Sequence, residues 1–223
     1  MVFMVEGAAE CPFCALVSDG RSPVWAHLFP GTEHDEVILA SESFLAVLDT
    51  APLAEGHVLI VSKAHLTSLA ALPESEREEL ALMRRAVQDR LRAEYGPFTY
   101  FEHGAASFAR HAGACIDHAH LHLVPGRCDL LPHVARDHPG IESFPEYEQA
   151  LDHFAGRAYL IFARDFDPVF GVDAPACATQ YLRRVMTRAG GSKQLWNWRD
   201  CVRWADALSI RDQLIRAAGR LRR

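Results

Sequence analysis

The sequence predicts an α+β fold: an antiparallel sheet of about five strands, one long helix, and a C-terminal helical extension. Three observations predict it. Short runs of branched and aromatic residues gather on both sides of a single long amphipathic stretch. Hydrophobic residues make up 49% of the 223, enough for a packed core. After Pro125 the remaining signals are mostly helical.

Taken in order, residues 36–39, 44–48 and 57–61 read as strands, each bounded by turn formers. Pro52-Leu-Ala-Glu-Gly56 is the turn between the second and third. Residues 74–95 form the helix, with Leu80, Leu82, Met83, Val87 and Leu91 at helical spacing and charges between them. Pro73 suits its first turn, and Gly96-Pro97 stops it. Strands at 98–101 and 118–124 follow. Beyond them, 143–154 reads as a short helix, 158–163 as a strand, and 179–189 and 208–221 as helices. The organisation expected is a catalytic domain over 1–135 and an extension over 136–223 packed on that same domain.

Acidic residues outnumber basic ones, 29 to 23, for a net charge of -6. That balance disfavours nucleic acid as a partner, since non-specific binding runs on excess Lys and Arg. No apolar run is long enough for a membrane helix. The opening MVFMVEGAAEC reads as no secretory signal, so a soluble, cytoplasmic protein is expected. Six cysteines are too sparse for a disulfide scaffold and should be thiols or metal ligands. Twelve histidines exceed ordinary usage, and most fall between His57 and His153.

The chemistry concentrates in His118-Ala-His120-Leu-His122-Leu-Val124. On a strand, positions two apart share a face, so three imidazoles stand side by side. Burial and mutual repulsion should keep at least two of them neutral near pH 7. A neutral imidazole is a good nucleophile toward phosphorus, and its neighbours can orient it or donate protons. The plain alternatives are a strand rich in His by chance, or a purely metal-binding triplet. A second cluster is Cys11-Pro-Phe-Cys14, which is either a redox pair or half of a metal site. Two thiolates need two more ligands for tetrahedral zinc, and His is the natural partner.

Across residues 11–125 the chain resembles the histidine triad (HIT) superfamily of nucleotide hydrolases and transferases. Residues 118–124 match its His-φ-His-φ-His-φ-φ pattern at every position. Gly56-His57-Val-Leu-Ile-Val-Ser62-Lys63-Ala-His65 is similar to a second family motif, with Ser62 where proline is usual. Ala46-Val-Leu-Asp49 resembles its φ-φ-Leu-Asp.

The resemblance implies His120 as the nucleophile on the α-phosphorus of a nucleotide or dinucleotide, with His122 and His57 on the phosphate oxygens. His118 is then the triad's first member. Asp49 would accept ribose hydroxyls, or alternatively cap the following turn. A structural Zn2+ held by Cys11, Cys14, His65 and His118 is implied by the zinc-bearing branch, and a homodimer by family habit.

The chain departs from the family pattern before the triad. Phe101-Glu102-His103-Gly104 stands where Asn-x-Gly is usual, followed by a longer stretch to Gly113-Ala-Cys115. Cys115 replaces a phosphate-binding serine, His103 stands near the usual asparagine, and Arg110 in the inserted stretch is a candidate phosphate contact. In the extension, Arg183 and Arg199 suit phosphate or carboxylate, and Gln180 is a further candidate. Trp196 or Trp198 either stacks on a base or packs the extension onto the sheet. Hydrolysis of a dinucleoside polyphosphate or nucleoside phosphoramidate is the expected reaction. A nucleotidyltransferase or phosphorylase with the same nucleophile is the alternative, and a non-catalytic nucleotide or metal sensor a second. Uridylyltransferases carry glutamine at the third triad position; His122 favours the hydrolase-like branches.

Overall fold

Eight strands, every neighbouring pair antiparallel, build one sheet in the order β1-β2-β3-β5-β4-β7-β8-β6. The computed structural model describes residues 11–31, 36–107, 116–190, 196–197 and 207–220. The strands are β1 (Val37–Ala40), β2 (Phe44–Leu48), β3 (Val58–Ser62), β4 (Phe98–Gly104), β5 (His120–Pro125), β6 (Glu142–Phe144), β7 (Tyr159–Arg164) and β8 (Val169–Asp173). The helices are α1 (Pro12–Asp19), α2 (Pro23–Leu28), α3 (Glu74–Tyr95), α4 (Leu131–Asp137), α5 (Tyr147–His153), α6 (Tyr181–Ala189) and α7 (Ala207–Arg220).

Fold class and long helix agree with the sequence reading; the strand count does not. Three further strands come from the C-terminal third, which is therefore not purely helical. Strand β7 lies where AYLIFA predicts it, and it pairs with β4 from Thr99↔Arg164 to Gly104↔Tyr159. The stretch 143–154, expected as one helix, ends strand β6 and then forms α5, with Pro145 between them. Proline disfavours helix in the residue before it and lacks the N–H that a continuous helix needs. Strand β8 contains Gly171, where a Cβ would lie 2.3 Å from the Phe154 ring. A glycine in a short run weakens the strand signal, while the close approach of the ring explains its presence.

Side-chain alternation divides the sheet into two faces. On one, Phe44, Ala46, Leu48, Ile60, Leu121, Leu123, Tyr100 and Ile161 pack with Leu80, Met83, Val87 and Leu91 of α3 and with Leu151 of α5. Each buried Leu, Ile, Val, Met or Phe among them contributes about 1.5–3 kcal/mol. On the other face, Phe13 and Leu16 of α1 cover Leu45, Val47, Leu59 and Val61. Further along it, Leu182, Val185 and Met186 of α6 cover Phe101, Leu160, Phe162 and Val172. Between the two covers lie His120 and His122 of β5, and the candidate site is there.

Candidate functional site

The gap is lined by residues that local rules deliver to one face. Leu59↔His122 and Val61↔His120 are paired across β3 and β5, so both imidazoles project toward the side that α1 covers. His103 reaches the same side from β4. Asp49 follows β2, and His57 precedes β3 after a turn at Gly56. Gly56 has φ +79, and a Cβ there would sit 2.4 Å from the Tyr95 ring, so only glycine fits the turn that aims His57.

Hydrogen bonds assign the protons of the triad. His120 Nδ1 lies 2.7 Å from the His118 carbonyl oxygen, which can only accept. The Nδ1–H therefore donates, and Nε2 keeps its lone pair. His118 Nε2 stands 2.6 Å from the Ser62 carbonyl in the same way, which leaves His118 Nδ1 as the lone-pair nitrogen. His57 Nε2 and His122 Nδ1 are 3.1 Å apart. The Leu53 N–H donates to His57 Nδ1 at 3.2 Å. That places the His57 proton on Nε2, donates it to His122 Nδ1, and leaves His122 with an Nε2–H to offer. Asp49 Oδ2 also stands 3.2 Å from His57 Nδ1, but its shorter bond, 2.6 Å, is to Arg183 Nη1. We assign the directed bond to that charge-assisted pair.

Burial governs the charges. His57 is pushed down to about 4 by burial, partly offset by the Asp49 carboxylate. His103 falls to about 3 through burial and the neighbouring His120 and Arg183. His120 and His122 also lie below the ordinary imidazole value, chiefly by burial. The cluster is neutral at pH 7. Burial alone would raise Asp49; Arg183, His57 and the Ala51 N–H together hold it below the ordinary carboxylate value.

The pocket, about 750 Å³ counting its open mouth, has both apolar and polar lining residues. Pro12, Phe13, Val24, Val47, Leu59 and Ile116 are among the apolar ones; Asp49, His103, His120, His122, Gln180 and Arg183 are among the polar ones.

The C-terminal segment thus supplies part of the wall. Gln180 is buried there and donates to Asn197 at 3.0 Å. The Leu182 N–H donates to His103 Nε2 at 3.0 Å. Arg183 donates to Asp49 Oδ2, to the Ala51 carbonyl at 2.5 Å and to the Trp196 carbonyl at 3.0 Å. The Trp196 ring lies under Arg184, 6.0 Å away.

Arg110, Gly113, Cys115, Trp198 and Arg199 lie outside the described residues. Sequence reasoning missed Phe101, whose ring stacks on His122 at 4.5 Å and 19°. It also missed Phe13, 5.3 Å from the His120 ring. In the sequence Phe101 reads only as a strand residue, and Phe13 only as a spacer inside the CxxC.

A second cluster adjoins the first. Single donor atoms of Cys11, Cys14, His65 and His118 all lie within 4.8 Å of one another. His118 Nδ1 is 3.2 Å from Cys11 Sγ and 3.7 Å from Cys14 Sγ, and His65 Nδ1 is 2.9 Å from Cys14 Sγ. A tetrahedral zinc with ordinary bond lengths spaces sulfur and nitrogen ligands about 3.5 Å apart. The donor set fits such an ion, and the Ser62 carbonyl orients His118 as an outer partner of a ligating imidazole does. Asp49, His57 and His122 also gather closely. There the Arg183 guanidinium occupies the place of a cation.

Among the described residues, no helix is long and apolar enough to cross a membrane. The family model of the HIT domain matches residues 31–129. An uncharacterized HIT-like protein of Mycoplasma genitalium is 26% identical over 119 residues, covering 52% of this chain and 73% of the relative. One from Mycobacterium tuberculosis is 26% identical over 117 residues, covering 52% and 72%. Among solved structures, a Zn-bound histidine triad family protein from Mycobacterium smegmatis is 28% identical, with TM-score 0.38 over 54% of this chain and 78% of its own. The matching region, residues 31–129, holds the triad strand, Asp49, His57 and His65, and it is this part of the chain that is similar to the HIT domain.

Proposed function

We infer that the protein is a nucleotide hydrolase acting at the α-phosphate of a dinucleoside polyphosphate or a nucleoside phosphoramidate. The observation that carries this reading is the proton arrangement at His120. Its Nδ1–H is tied to the His118 carbonyl at 2.7 Å, so the Nε2 lone pair is the reactive one, in a pocket that also has apolar walls. In the first step Nε2 forms a bond to the α-phosphorus as the bond to phosphate or amine breaks. The leaving group takes that electron pair and a proton from solvent, and the water of the second step returns a proton to solvent. In the second step water attacks the phosphorus, the N–P bond returns its electrons to Nε2, and a nucleoside monophosphate is released. His122, with its Nε2–H available, donates to the phosphoryl oxygens as charge builds on them. The apolar side chains of the pocket, such as Phe13, Val47 and Leu59, pack against the base.

The resident metal in this reading is zinc on Cys11, Cys14, His65 and His118, a closed set that ties α1 to the start of the triad strand. Bound there, zinc supplies structural cross-linking. His120, His122 and His57 carry the chemistry.

The test is turnover of a fluorogenic adenosine phosphoramidate and of diadenosine tetraphosphate, with mass-spectrometric trapping of the adduct. His120→Ala should lower kcat/KM by at least about 10³ while mononucleotide binding persists. No turnover and no adduct in the unsubstituted protein would refute the reading. Cleavage that requires added inorganic phosphate would convert it to a phosphorylase.

A further inference from the structure

Besides His120 and His122 the pocket is lined by His103 of β4, which is 8% exposed. The ladder between β4 and β5 runs from Phe98↔Pro125 to Phe101↔His122. Two residues beyond that last pair, one on each strand, stand His103 and His120, on the face that Phe101 and His122 share.

One ring nitrogen of His103 is taken. The Leu182 N–H donates to Nε2 at 3.0 Å. That N–H belongs to the first turn of α6, where helix N–H groups have no partner within the helix. A nitrogen that accepts a hydrogen bond carries no proton, so the proton of the ring sits on Nδ1. Among the described residues Nδ1–H has no partner, and it is not sealed away, since the ring lines the pocket. A largely buried donor left unpaired by the protein is satisfied when a ligand oxygen arrives.

We propose that His103 is a catalytic residue whose Nδ1–H, fixed by the backbone of α6, donates to a phosphoryl oxygen of the substrate held at His120. This rests on the reading of His120 as nucleophile. His122 donates from the nucleophile's own strand and His103 from the next, so two neutral donors meet the charge that builds on those oxygens. The His103 proton stays on Nδ1 throughout. α6 thus has two holds on the site, the Leu182 N–H on His103 and Arg183 on Asp49. The C-terminal segment sets which nitrogen of His103 faces the substrate.

Two substitutions in the full chain separate the ring nitrogens, because the Asn amide stands near the place of Nδ1 and the Gln amide near that of Nε2. His103→Gln keeps an acceptor for Leu182 but loses the donor. It should hold its Tm and lower kcat on the fluorogenic phosphoramidate about 10²-fold or more, with KM within about threefold. His103→Asn should recover kcat to within about tenfold of the parent while melting lower. Long-range ¹H–¹⁵N spectra of the unsubstituted protein should show the His103 proton on Nδ1. Parent-like kcat in His103→Gln, a folded His103→Asn no faster than His103→Gln, or a proton on Nε2 overturns the inference. Each leaves the hydrolase reading standing where His120→Ala abolishes turnover. No turnover in the unsubstituted protein overturns that reading, and this inference with it.

Discussion

Replacing Glu102 by glutamine should change not the stability at one pH but its slope against pH. Glu102 is fully buried on the helix-covered side of β4, where its carboxyl accepts from the Leu69 N–H at 2.8 Å, the Tyr159 hydroxyl at 2.8 Å and the Tyr147 hydroxyl at 2.7 Å. Burial still wins over these bonds and pushes the carboxyl from 4.5 up to about 6. A folded-state value above the unfolded one gives stability that is present below pH 4.5 and lost as pH rises through 6. At about 1.4 kcal/mol per unit, the loss is roughly 2 kcal/mol. Glutamine keeps the shape and the acceptor oxygen but does not ionise. Glu102→Gln should therefore match the parent protein near pH 4.5 and gain on it by roughly 2 kcal/mol at pH 7, relative to their acid difference. For a chain of this length that is about 4–8 °C in Tm. Scanning calorimetry from pH 4.5 to 7.5 reads the difference directly. Parallel profiles for the two proteins would refute the argument. Because Leu69, Tyr147 and Tyr159 come from both parts of the sequence, the two parts should also melt in one transition.

Three further outcomes follow from other contacts. One equivalent of zinc should copurify, and Cys11→Ser or prolonged chelation should lower Tm by more than 5 °C; metal analysis with no zinc would end the Cys2His2 reading. At Gly104 a Cβ would stand 2.0 Å from the Tyr159 ring, so Gly104→Ala should cost about 3 kcal/mol, and a Tm within 2 °C of the parent would contradict the packing. His57 and His103, held neutral down to about 4 and about 3, add stability that is complete above 6.5 and is lost as pH falls through their folded values. Glu36, raised to about 7, and Glu102 act in the opposite sense between 4.5 and 7. Acid should therefore weaken the fold gently to pH 4.5 and steeply below it; a denaturation midpoint that peaks below pH 4 would refute this.

What the sequence made legible was local. The spacing of His118, His120 and His122 placed the triad, and the motif around His57 placed the strand beside it. The run 74–95 was readable because periodicity, Pro73 and Gly96-Pro97 agreed about one helix. Strand β8 was invisible because five residues with a central glycine make no pattern of their own, and its place depends on Phe154. The partner of Arg183 was equally hidden. A guanidinium in a sequence suits any anion, and only the path of α6 across the sheet decides that the anion is Asp49 rather than a ligand. Phe101 was readable as a strand residue, but its stacking on His122 depends on how β4 and β5 are paired.

The bond between Asp49 and Arg183 spans 134 positions. At ribosomal rates of about 5–20 residues per second, the aspartate waits roughly 7–27 seconds for its cation to be made. During that interval β4 also lacks β7 and offers an open edge, the kind of surface on which nascent chains join one another. The arrangement that seals the finished site thus forms late on the ribosome, and a chain stalled before α6 carries the triad strand in full without the residues that close it.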